Sequence, residues 1–349
     1  MLYHAALTGW GHYAPEHVVT NDDLAQTVDT SDEWIRSRSG IGERRFAEAH
    51  DHTSTMSAEA ARRALAKAGL EGRDLDLIIV ATSSPDYLTP PVSSQVQDQI
   101  GADRAGAMTV VVGCTGFVYG LVTAAQFIAT GAAQNVLVVG AELISRYLDM
   151  ADRTTCVLFG DGAGAVVLQA TEEPCGLRSH VLGSDGSGHE AIIQYSGGTR
   201  EPVSAERIDD GRQYLRMNGR EVFKFATRTM VESLQQVMDA AGVTKDDVDL
   251  FIPHQANQRI IEYAAHKLDL PPEKVVLNVE RYGNTSAATI PIALSEALDA
   301  GRAKPGDTLA MVGFGAGLTW AAAVFDLAPK SVTPVTRVNG HGAISGQIA

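Results

Sequence analysis

Cysteine and basic residues are scarce in this sequence, and both shortages restrict its function. The three cysteines, Cys114, Cys156 and Cys175, are irregularly spaced, which fits neither a disulfide framework nor a metal knuckle. The 28 lysines and arginines are outnumbered by 42 acidic residues, and the formal net charge is −14. Nucleic acid binding requires a basic surface that such a chain does not supply overall. We therefore expect reduced thiols and no nucleic acid partner.

Long apolar runs are also lacking. No run reaches the roughly 18 residues that cross a bilayer, and the amino terminus, with His4 and Gly-Trp-Gly at 9–11, has no charged and then apolar export signal. The 45% hydrophobic content is enough for one large core or two medium ones. These features predict a cytoplasmic globular protein with no membrane contact.

An internal repeat organises the chain. The segment 61–79 predicts an amphipathic helix, a glycine stop and a buried strand, and the same order returns at 234–252. Helical runs of equal length start at Cys114 and Asn284, and each leads to an apolar strand. GDGAG at 160–164 and GFGAG at 313–317 form a third pair in the same order. Three pairs in one order indicate duplication.

The duplication predicts the architecture. We expect an α/β protein with two similar halves, 1–170 and 171–328, followed by a flexible or surface tail at 329–349. Strands without polar alternation are typical of sheets covered on both faces, so a layered fold with helices between and outside two sheets is expected. In such a fold Cys114 and Asn284 would face each other near a pseudo-twofold axis.

Cys114 follows a β-branched run and precedes a helical run. At a helix amino terminus the free N–H groups and the macrodipole favour an anion, so the pKa of this thiol is expected to be lowered. Gly113 and Gly116 would let a substrate approach closely. A lone cysteine is more often a small apolar core residue, so this stretch alone leaves both interpretations open.

His254 and Asn284 are the other candidate catalytic residues. His254 follows the second copy of the buried strand, where the first copy has Ala81, and functional residues collect at such strand ends. Asn284 would also serve simply as an N-cap of the following helix. A cysteine nucleophile with these two side chains suits either a hydrolase, in which Asn orients His, or a condensing enzyme, in which both donate hydrogen bonds to an enolate.

A family resemblance favours the condensing enzyme over the hydrolase. Over residues 1–328 the chain resembles the β-ketoacyl-[acyl carrier protein] synthase III family, condensing enzymes with the thiolase-like duplicated αβαβα layered fold. The resemblance is carried by eight motifs in order: VVTNDDLA (18–25), DTSDEWIRSRSGI (29–41), CTGFVYGL (114–121), DRTTCVLFGDGAGAVVL (152–168), MNGREVFKFA (217–226), IPHQANQRI (252–260), RYGNTSAATIP (281–291) and GFGAGLTW (313–320).

The resemblance implies a homodimer, a reaction and a set of roles. Cys114 would take an acyl group from acyl-CoA, and the enolate formed when malonyl-acyl carrier protein loses CO₂ would attack it to give 3-oxoacyl-acyl carrier protein. His254 and Asn284 would stabilise that enolate. Backbone N–H groups of Cys114 and Ala316 would form the oxyanion hole, and Phe314 would shield the thiol. No cofactor is implied.

The resemblance also implies the sites for coenzyme A and the carrier protein. Stacking and ion pairing with the nucleotide, and contacts to the pantetheine arm, are expected from five residues: Trp34, Arg38, Arg153, Gly219 and Asn257. Docking of the acidic carrier protein is expected on a basic stripe at every fourth residue of one helix face, joined by a further arginine: Arg216, Arg220, Lys224 and Arg228, with Arg259. A plain solvated helix face is the alternative for that stripe.

One position departs from the pattern of acetyl-selective members. Thr89 stands where they carry an aromatic residue, so a longer acyl channel and primers longer than acetyl are predicted. His50 and His52 form a surface His-x-His pair that is usually incidental, and no metal site is predicted.

Three other functions remain open from the sequence. An acyltransferase of secondary metabolism, of the quinolone or polyketide starter type, would use the same fold and triad. A Cys-His-Asn hydrolase would release free acid. A non-catalytic chain-length-factor subunit would be expected to lack the cysteine that this chain has at position 114.

Overall fold

The structure is a computed structural model that describes residues 3–329 together with Thr333 and Val335. Its strands are β1 (His4–Tyr13), β2 (Val18–Thr20), β3 (Glu43–Arg45), β4 (Leu77–Ala81), β5 (Gly106–Val110), β6 (Asn135–Glu142), β7 (Gly162–Thr171), β8 (Gly176–Ser184), β9 (Ile192–Gln194), β10 (Leu215–Met217), β11 (Leu250–Pro253), β12 (Thr308–Gly315) and β13 (Thr319–Asp326). Its α-helices are α1 (Asn21–Ala25), α2 (Asp32–Ser39), α3 (Thr53–Ala68), α4 (Val92–Gln99), α5 (Gly116–Ala129), α6 (Ala205–Asp209), α7 (Gly219–Ala241), α8 (Gln258–Lys267), α9 (Val279–Tyr282) and α10 (Thr289–Asp299).

Two mixed sheets form the frame. The first has the strand order β1-β7-β6-β4-β5, with β4 parallel to β5 and β6, and the second has the order β11-β12-β13-β8, with β11 parallel to β12. All ten residues of β7 and all eight of β12 are buried. Strands this apolar need cover on both faces, and the helices supply it.

The helices form three layers around the two sheets. α5 and α10 lie between the sheets, where Phe117, Leu121 and Leu294 share one core with residues of both sheets. α3 and α4 cover the outer face of the first sheet, and α7 and α8 cover the outer face of the second. α5 packs closely because a Cβ at Gly116 would lie 2.8 Å from the Cβ of Ala81. This order of layers is the predicted αβαβα arrangement.

The repeated sequence segments fall on equivalent elements. The first helix and strand pair is α3 with β4, and its second copy is α7 with β11. α5 followed by β6 matches α10 followed by β12. The chain changes sheet between Thr171, the end of β7, and Gly176, the start of β8.

Most of the tail predicted at 329–349 lies outside the described residues. Val335, one of the described positions, donates its N–H to the carbonyl of Ala170 at 3.0 Å and packs against the central core.

Candidate active site

Cys114 lies in the seam between the two sheets, at the carboxyl end of the buried strands. A short 3₁₀ turn, Gly113–Thr115, holds it, and α5 begins two residues later at Gly116. A Cβ on Gly315 would lie 2.8 Å from the backbone N of Cys114, so the GFGAG segment passes directly over the cysteine. Gly113 adopts φ +57, in the left-handed region where glycine is favoured. Glycines on both sides therefore fix the position of the thiol.

A cavity of about 330 Å³ opens onto Cys114. His254, Asn284, Phe314 and Ala316, which come from the second half of the chain, line the same cavity. The structure therefore brings together the three side chains that the sequence nominated for catalysis and the two that it nominated to support them.

His254 is buried and neutral at physiological pH. It follows β11, is 1% exposed, and packs edge-to-face on Phe314 with ring centroids 5.1 Å apart. Burial lowers the pKa of His254 to about 3. Its Nδ1 lies 2.6 Å from the hydroxyl of Thr289. The same hydroxyl lies 2.9 Å from the carbonyl oxygen of Ser286, and it has one proton to donate. Only when that proton goes to Nδ1 of His254 does the ring proton reside on Nε2, which is then a neutral hydrogen-bond donor for a ligand.

Asn284 is oriented by its own loop. Its Oδ1 accepts the N–H of Ser286 at 2.8 Å, so the amide NH₂ remains as a donor. The backbone N–H of Asn284 donates to Leu158 at 2.8 Å, which ties this loop to the first half of the chain. The sequence alternative of a simple N-cap is wrong, because α10 begins only at Thr289 and a 3₁₀ turn intervenes.

The thiol itself differs from the prediction. A lowered pKa was expected from a helix terminus, whereas burial raises the pKa of Cys114 to about 12, opposed in part by a hydrogen bond from Ser286. Cys114 is only 8% exposed. Desolvation therefore disfavours its thiolate more than the hydrogen bond from Ser286 favours it. The resting thiol therefore holds its proton, and the reaction needs a group that receives it.

Two residues of the site escaped the sequence analysis. Ser286 lines the cavity beside Cys114, and Glu142, fully buried at the end of β6, bonds to Ser286 at 3.0 Å. A signal was present for Glu142, because a carboxylate ends an otherwise apolar strand. Ser286 gave none, since a serine after Asn-Thr suits any turn.

The residues predicted to bind coenzyme A surround the mouth of the same cavity. Trp34, Arg38, Arg153, Gly219 and Asn257 all line it. The guanidinium of Arg153 lies 5.0 Å from the Trp34 ring centroid, and Asn257 donates from Nδ2 to the carbonyl of Arg38 at 3.0 Å. An aromatic face with two arginines at the opening suits an adenine nucleotide.

The predicted docking stripe is only partly correct. Arg220, Lys224 and Arg228 are exposed on α7, and the guanidinium of Arg259 lies 5.7 Å from the ring centroid of Phe223 on the same helix. Arg216 does not belong to this face, because it lies in β10, where Met217 and Asn218 separate it from α7. It is also paired with Asp149 at 3.0 Å and Asp152 at 3.1 Å.

Thr89 does not line the cavity. It is exposed in the segment after β4, as are its neighbours Tyr87 (62%) and Leu88 (85%). Within this chain Thr89 is therefore no part of the cavity, and the longer acyl channel at Thr89 stays a prediction.

Two searches of the described residues gave negative results. No helix among residues 3–329 has the length and apolarity to cross a membrane. Nowhere in the same range do three His, Cys, Asp or Glu side chains cluster so that they could hold a metal ion, and His50 and His52 are no exception.

Acid is expected to destabilise this site through His254. Its folded pKa lies below the unfolded value of 6.5, so its contribution to stability is present above pH 6.5 and is lost as pH falls and the unfolded chain takes up the proton. The His254→Gln variant should therefore lose about 2 kcal/mol less unfolding free energy than wild type between pH ~7 and ~5. Urea denaturation at both pH values measures this difference.

His50→Gln is the matched control, because the His50 side chain is 74% exposed. It should lose the same stability as wild type over that pH range. Equal pH dependence in the His254→Gln and His50→Gln variants would contradict a buried neutral His254.

A cysteine, a histidine and an asparagine in the seam of a doubled α/β scaffold define the class of thiolase-fold acyltransferases that condense acyl groups. Two family models match: 3-oxoacyl-[acyl-carrier-protein (ACP)] synthase III over residues 108–186 and its C-terminal domain over 238–327. The chain belongs to the 3-oxoacyl-[acyl-carrier-protein] synthase III family and is an acyl-transferring condensing enzyme of fatty acid synthesis.

Known relatives cover nearly all of the chain. The β-ketoacyl-[acyl-carrier-protein] synthase III of Roseiflexus castenholzii is 52% identical over 324 residues, which cover 93% of this chain and 98% of that protein. The crystal structure of the Aquifex aeolicus synthase III has a TM-score of 0.86 at 45% identity and covers 92% of this chain and 99% of that one. A priming β-ketosynthase of the R1128 polyketide pathway has a TM-score of 0.87 at 33% identity, covering 95% and 98%. The predicted family and fold class are confirmed.

Proposed function

We propose that Cys114 takes an acyl group from acyl-CoA and that the resulting thioester is attacked by the enolate of malonyl-acyl carrier protein after loss of CO₂. The observation that carries this proposal is the meeting of Cys114, His254 and Asn284 in one cavity whose mouth presents Trp34 and Arg153. In a Cys-His-Asn hydrolase Asn would orient His, whereas here Nδ1 of His254 lies 2.6 Å from the hydroxyl of Thr289 and Oδ1 of Asn284 accepts the N–H of Ser286.

The residue roles follow from this arrangement. In this proposal His254 donates from Nε2 and Asn284 donates from its amide, and the two hydrogen bonds stabilise the enolate oxygen. Backbone N–H groups of Cys114 and Ala316 hold the oxyanion during acyl transfer, because the GFGAG segment lies against the cysteine. Phe314, 2% exposed and packed on His254, keeps water from the thiol.

The reaction products test the proposal. The enzyme is incubated with malonyl-acyl carrier protein and acyl-CoAs from acetyl to C12, and CO₂, free acid and 3-oxoacyl-acyl carrier protein are measured. We expect CO₂ and 3-oxoacyl product in equal amounts, with primers longer than acetyl preferred. Free acid without CO₂ would indicate the hydrolase. A small amine or alcohol accepted in place of the malonyl donor would favour the secondary-metabolism acyltransferase.

The active unit in this proposal is a homodimer in the cytoplasm. β5 is one of the two outer strands of the first sheet, and Val111 just after it is 68% exposed. An unpaired strand edge beside exposed apolar residues favours pairing with a second copy. In such a dimer Thr89 of one copy would line the acyl channel of the other. Sedimentation equilibrium measures the mass in solution, and free thiols and CoA chemistry suit the cytoplasm.

The carrier protein docks, in this proposal, on the exposed cations of α7 and α8. Reversing two of them, in Lys224→Glu/Arg259→Glu, is expected to raise KM for malonyl-acyl carrier protein about tenfold or more. The rate of acyl transfer from acyl-CoA should stay unchanged, because neither side chain lines the cavity. Steady-state kinetics at low and high salt measure both, and added salt should narrow the difference between variant and wild type.

A reversal elsewhere on the surface is the control. The side chain of Arg73 is 68% exposed and lies just before β4, at the end of the sheet opposite Cys114. Arg73→Glu should leave KM for the carrier protein as in wild type. Equal KM values for Arg73→Glu and Lys224→Glu/Arg259→Glu would contradict the proposed docking surface.

A further inference from the structure

Glu142 is a buried carboxyl group that the proposed reaction has not yet used. It is the last residue of β6, the middle strand of the first sheet, and it is 0% exposed. It lies at the end of the sheet that carries the active site. The N–H of Ser83 donates to both of its oxygens at 3.1 Å, and the hydroxyl of Ser84 donates to Oε2 at 2.5 Å. Thr82 adds a longer bond of 3.3 Å. Such a set of donors holds the carboxylate in one position without an ion pair.

Ser286 connects this carboxyl group to the nucleophile. Its hydroxyl donates to Oε1 of Glu142 at 3.0 Å. Ser286 and Cys114 line the same cavity, and a hydrogen bond from Ser286 opposes the rise in the pKa of the Cys114 thiol. Ser286 adopts φ +49, and its N–H is held by Asn284. This constrained backbone holds the hydroxyl on Glu142 at the wall of the cavity that Cys114 also lines.

A serine hydroxyl carries one proton, so the states of Glu142 and Cys114 are coupled. When Glu142 is ionised, Ser286 donates to it and accepts from the S–H group. When Glu142 is protonated, it donates to Ser286, and Ser286 donates to a thiolate. The two states contain the same number of protons. They differ only in the positions of two protons, those on the Cys114 thiol and the Ser286 hydroxyl in the first state.

We propose that Glu142 activates Cys114 by receiving the thiol proton through the hydroxyl of Ser286. The S–H proton passes to Ser286 Oγ while the hydroxyl proton passes to Glu142 Oε1, and the sulfur lone pair attacks the acyl-CoA carbonyl as the C–S bond to CoA breaks. CoA leaves as a thiolate and takes its proton from water, so the thiol proton stays on Glu142. When condensation expels the Cys114 thiolate, the proton returns along the same path. Because Glu142 acts through Ser286 and touches no substrate, it is a positioning residue.

The alternative acceptor in the cavity is less suited. Burial lowers the pKa of His254 to about 3, so its ring does not hold an added proton near neutrality. Burial raises the pKa of Glu142 to about 7, although its hydrogen bonds oppose the rise. A general base works best when its pKa is near the working pH. Besides burial, the charge of Glu142 also raises the pKa of Cys114 and the pKa of Tyr147.

The test is the pH dependence of acyl transfer in Glu142→Gln. The rate at which Cys114 takes an acyl group from acyl-CoA is measured in a single turnover from pH ~5.5 to ~9.5. The wild-type rate should level off near neutral pH, once Glu142 is ionised and can receive the thiol proton. The amide of the variant can donate to Ser286 but cannot take up a proton, so the variant rate should climb about tenfold per pH unit and be about 100-fold lower at pH ~7. KM for acyl-CoA should not change.

Two further variants keep the test decisive if Glu142→Gln folds poorly. Ser286→Ala removes the connecting hydroxyl while the bonds from Ser83 and Ser84 remain, and it should show the same steep profile. Tyr147→Phe leaves every hydrogen bond to Glu142 intact and should keep the wild-type profile. A uniform loss of rate with the wild-type shape would make Glu142 merely structural and would overturn the proposal.

The inference rests on the proposed function, in which Cys114 is the nucleophile. The same experiment distinguishes a failure of that function from a failure of the relay through Ser286. If wild-type Cys114 takes up no acyl group at any pH, the proposed function fails. If it does, and Glu142→Gln and Ser286→Ala level off as wild type does, only the relay through Ser286 is lost.

Discussion

Cys114→Ala is expected to carry no acyl group after incubation with any acyl-CoA and to lose condensation by about 10⁴-fold or more. The cysteine is the only sulfur among the residues that line the cavity apart from Met217, and a thioether cannot form the intermediate. Intact-protein mass spectrometry measures the acyl adduct, and the release of 3-oxoacyl product measures the full reaction.

The same variant should keep part of the chemistry. His254 and Asn284 remain in place, so Cys114→Ala should still release CO₂ from malonyl-acyl carrier protein without forming a new C–C bond. Uncoupled decarboxylation would show that the two donors act on the enolate independently of the thiol.

Cys175→Ala provides the matched control. Cys175 is buried but does not line the cavity, and a small residue in its place should leave both the adduct and the condensation as in wild type. An acyl adduct that persists in Cys114→Ala and disappears in Cys175→Ala would place the nucleophile elsewhere.

The repeat made the fold predictable because both copies obey the same local rules. A glycine ends α3 at Gly69 and α7 at Gly242, each in the left-handed conformation, and a buried strand follows each time. Turn chemistry and apolar runs are local properties that the sequence displays directly. Equivalent elements on a doubled scaffold then place Cys114 and the loop of Asn284 at one seam.

The proton state of Cys114 could not be predicted in the same way. A position ahead of a helix suggests a thiolate, but burial reverses this tendency, and the segment at Gly315 that lies against Cys114 is distant in sequence. The contact between Glu142 and Ser286 spans 144 positions and follows no periodicity. Desolvation and long-range hydrogen bonds are properties of the assembled fold.

In the docking stripe, the error was to extend a local helical spacing to a residue that lies before the helix begins. Arg216 has the spacing of a helical residue relative to Arg220, but α7 starts only at Gly219, with Asn218 as its N-cap. The segment before the cap pairs with β9 as a strand, which directs Arg216 toward Asp149 and Asp152. Periodicity identifies a helix face only inside the bounds that the caps set.

Removing either donor opposite the thiol should separate condensation from acyl transfer. His254→Ala and Asn284→Ala each delete one hydrogen bond to the enolate oxygen, and loss of one such donor in a buried site costs about 3–4 kcal/mol in the transition state. Each variant is therefore expected to release CO₂ about 10²–10³-fold more slowly. Formation of the acyl-Cys114 adduct should fall far less, because Ser286, Glu142 and the backbone N–H groups remain.

Two measurements on one preparation test this separation: the burst of CoA released from acyl-CoA alone, and the rate of CO₂ release when malonyl-acyl carrier protein is added to the acylated enzyme. His266→Ala, a histidine substitution on the exposed side of α8, should leave both unchanged. Losses of similar size in both half-reactions of His254→Ala would instead identify His254 as the group that receives the thiol proton. The Ser286 hydroxyl would then be a spectator, and the neutral imidazole that burial produces would have to be protonated within the acyl-CoA complex.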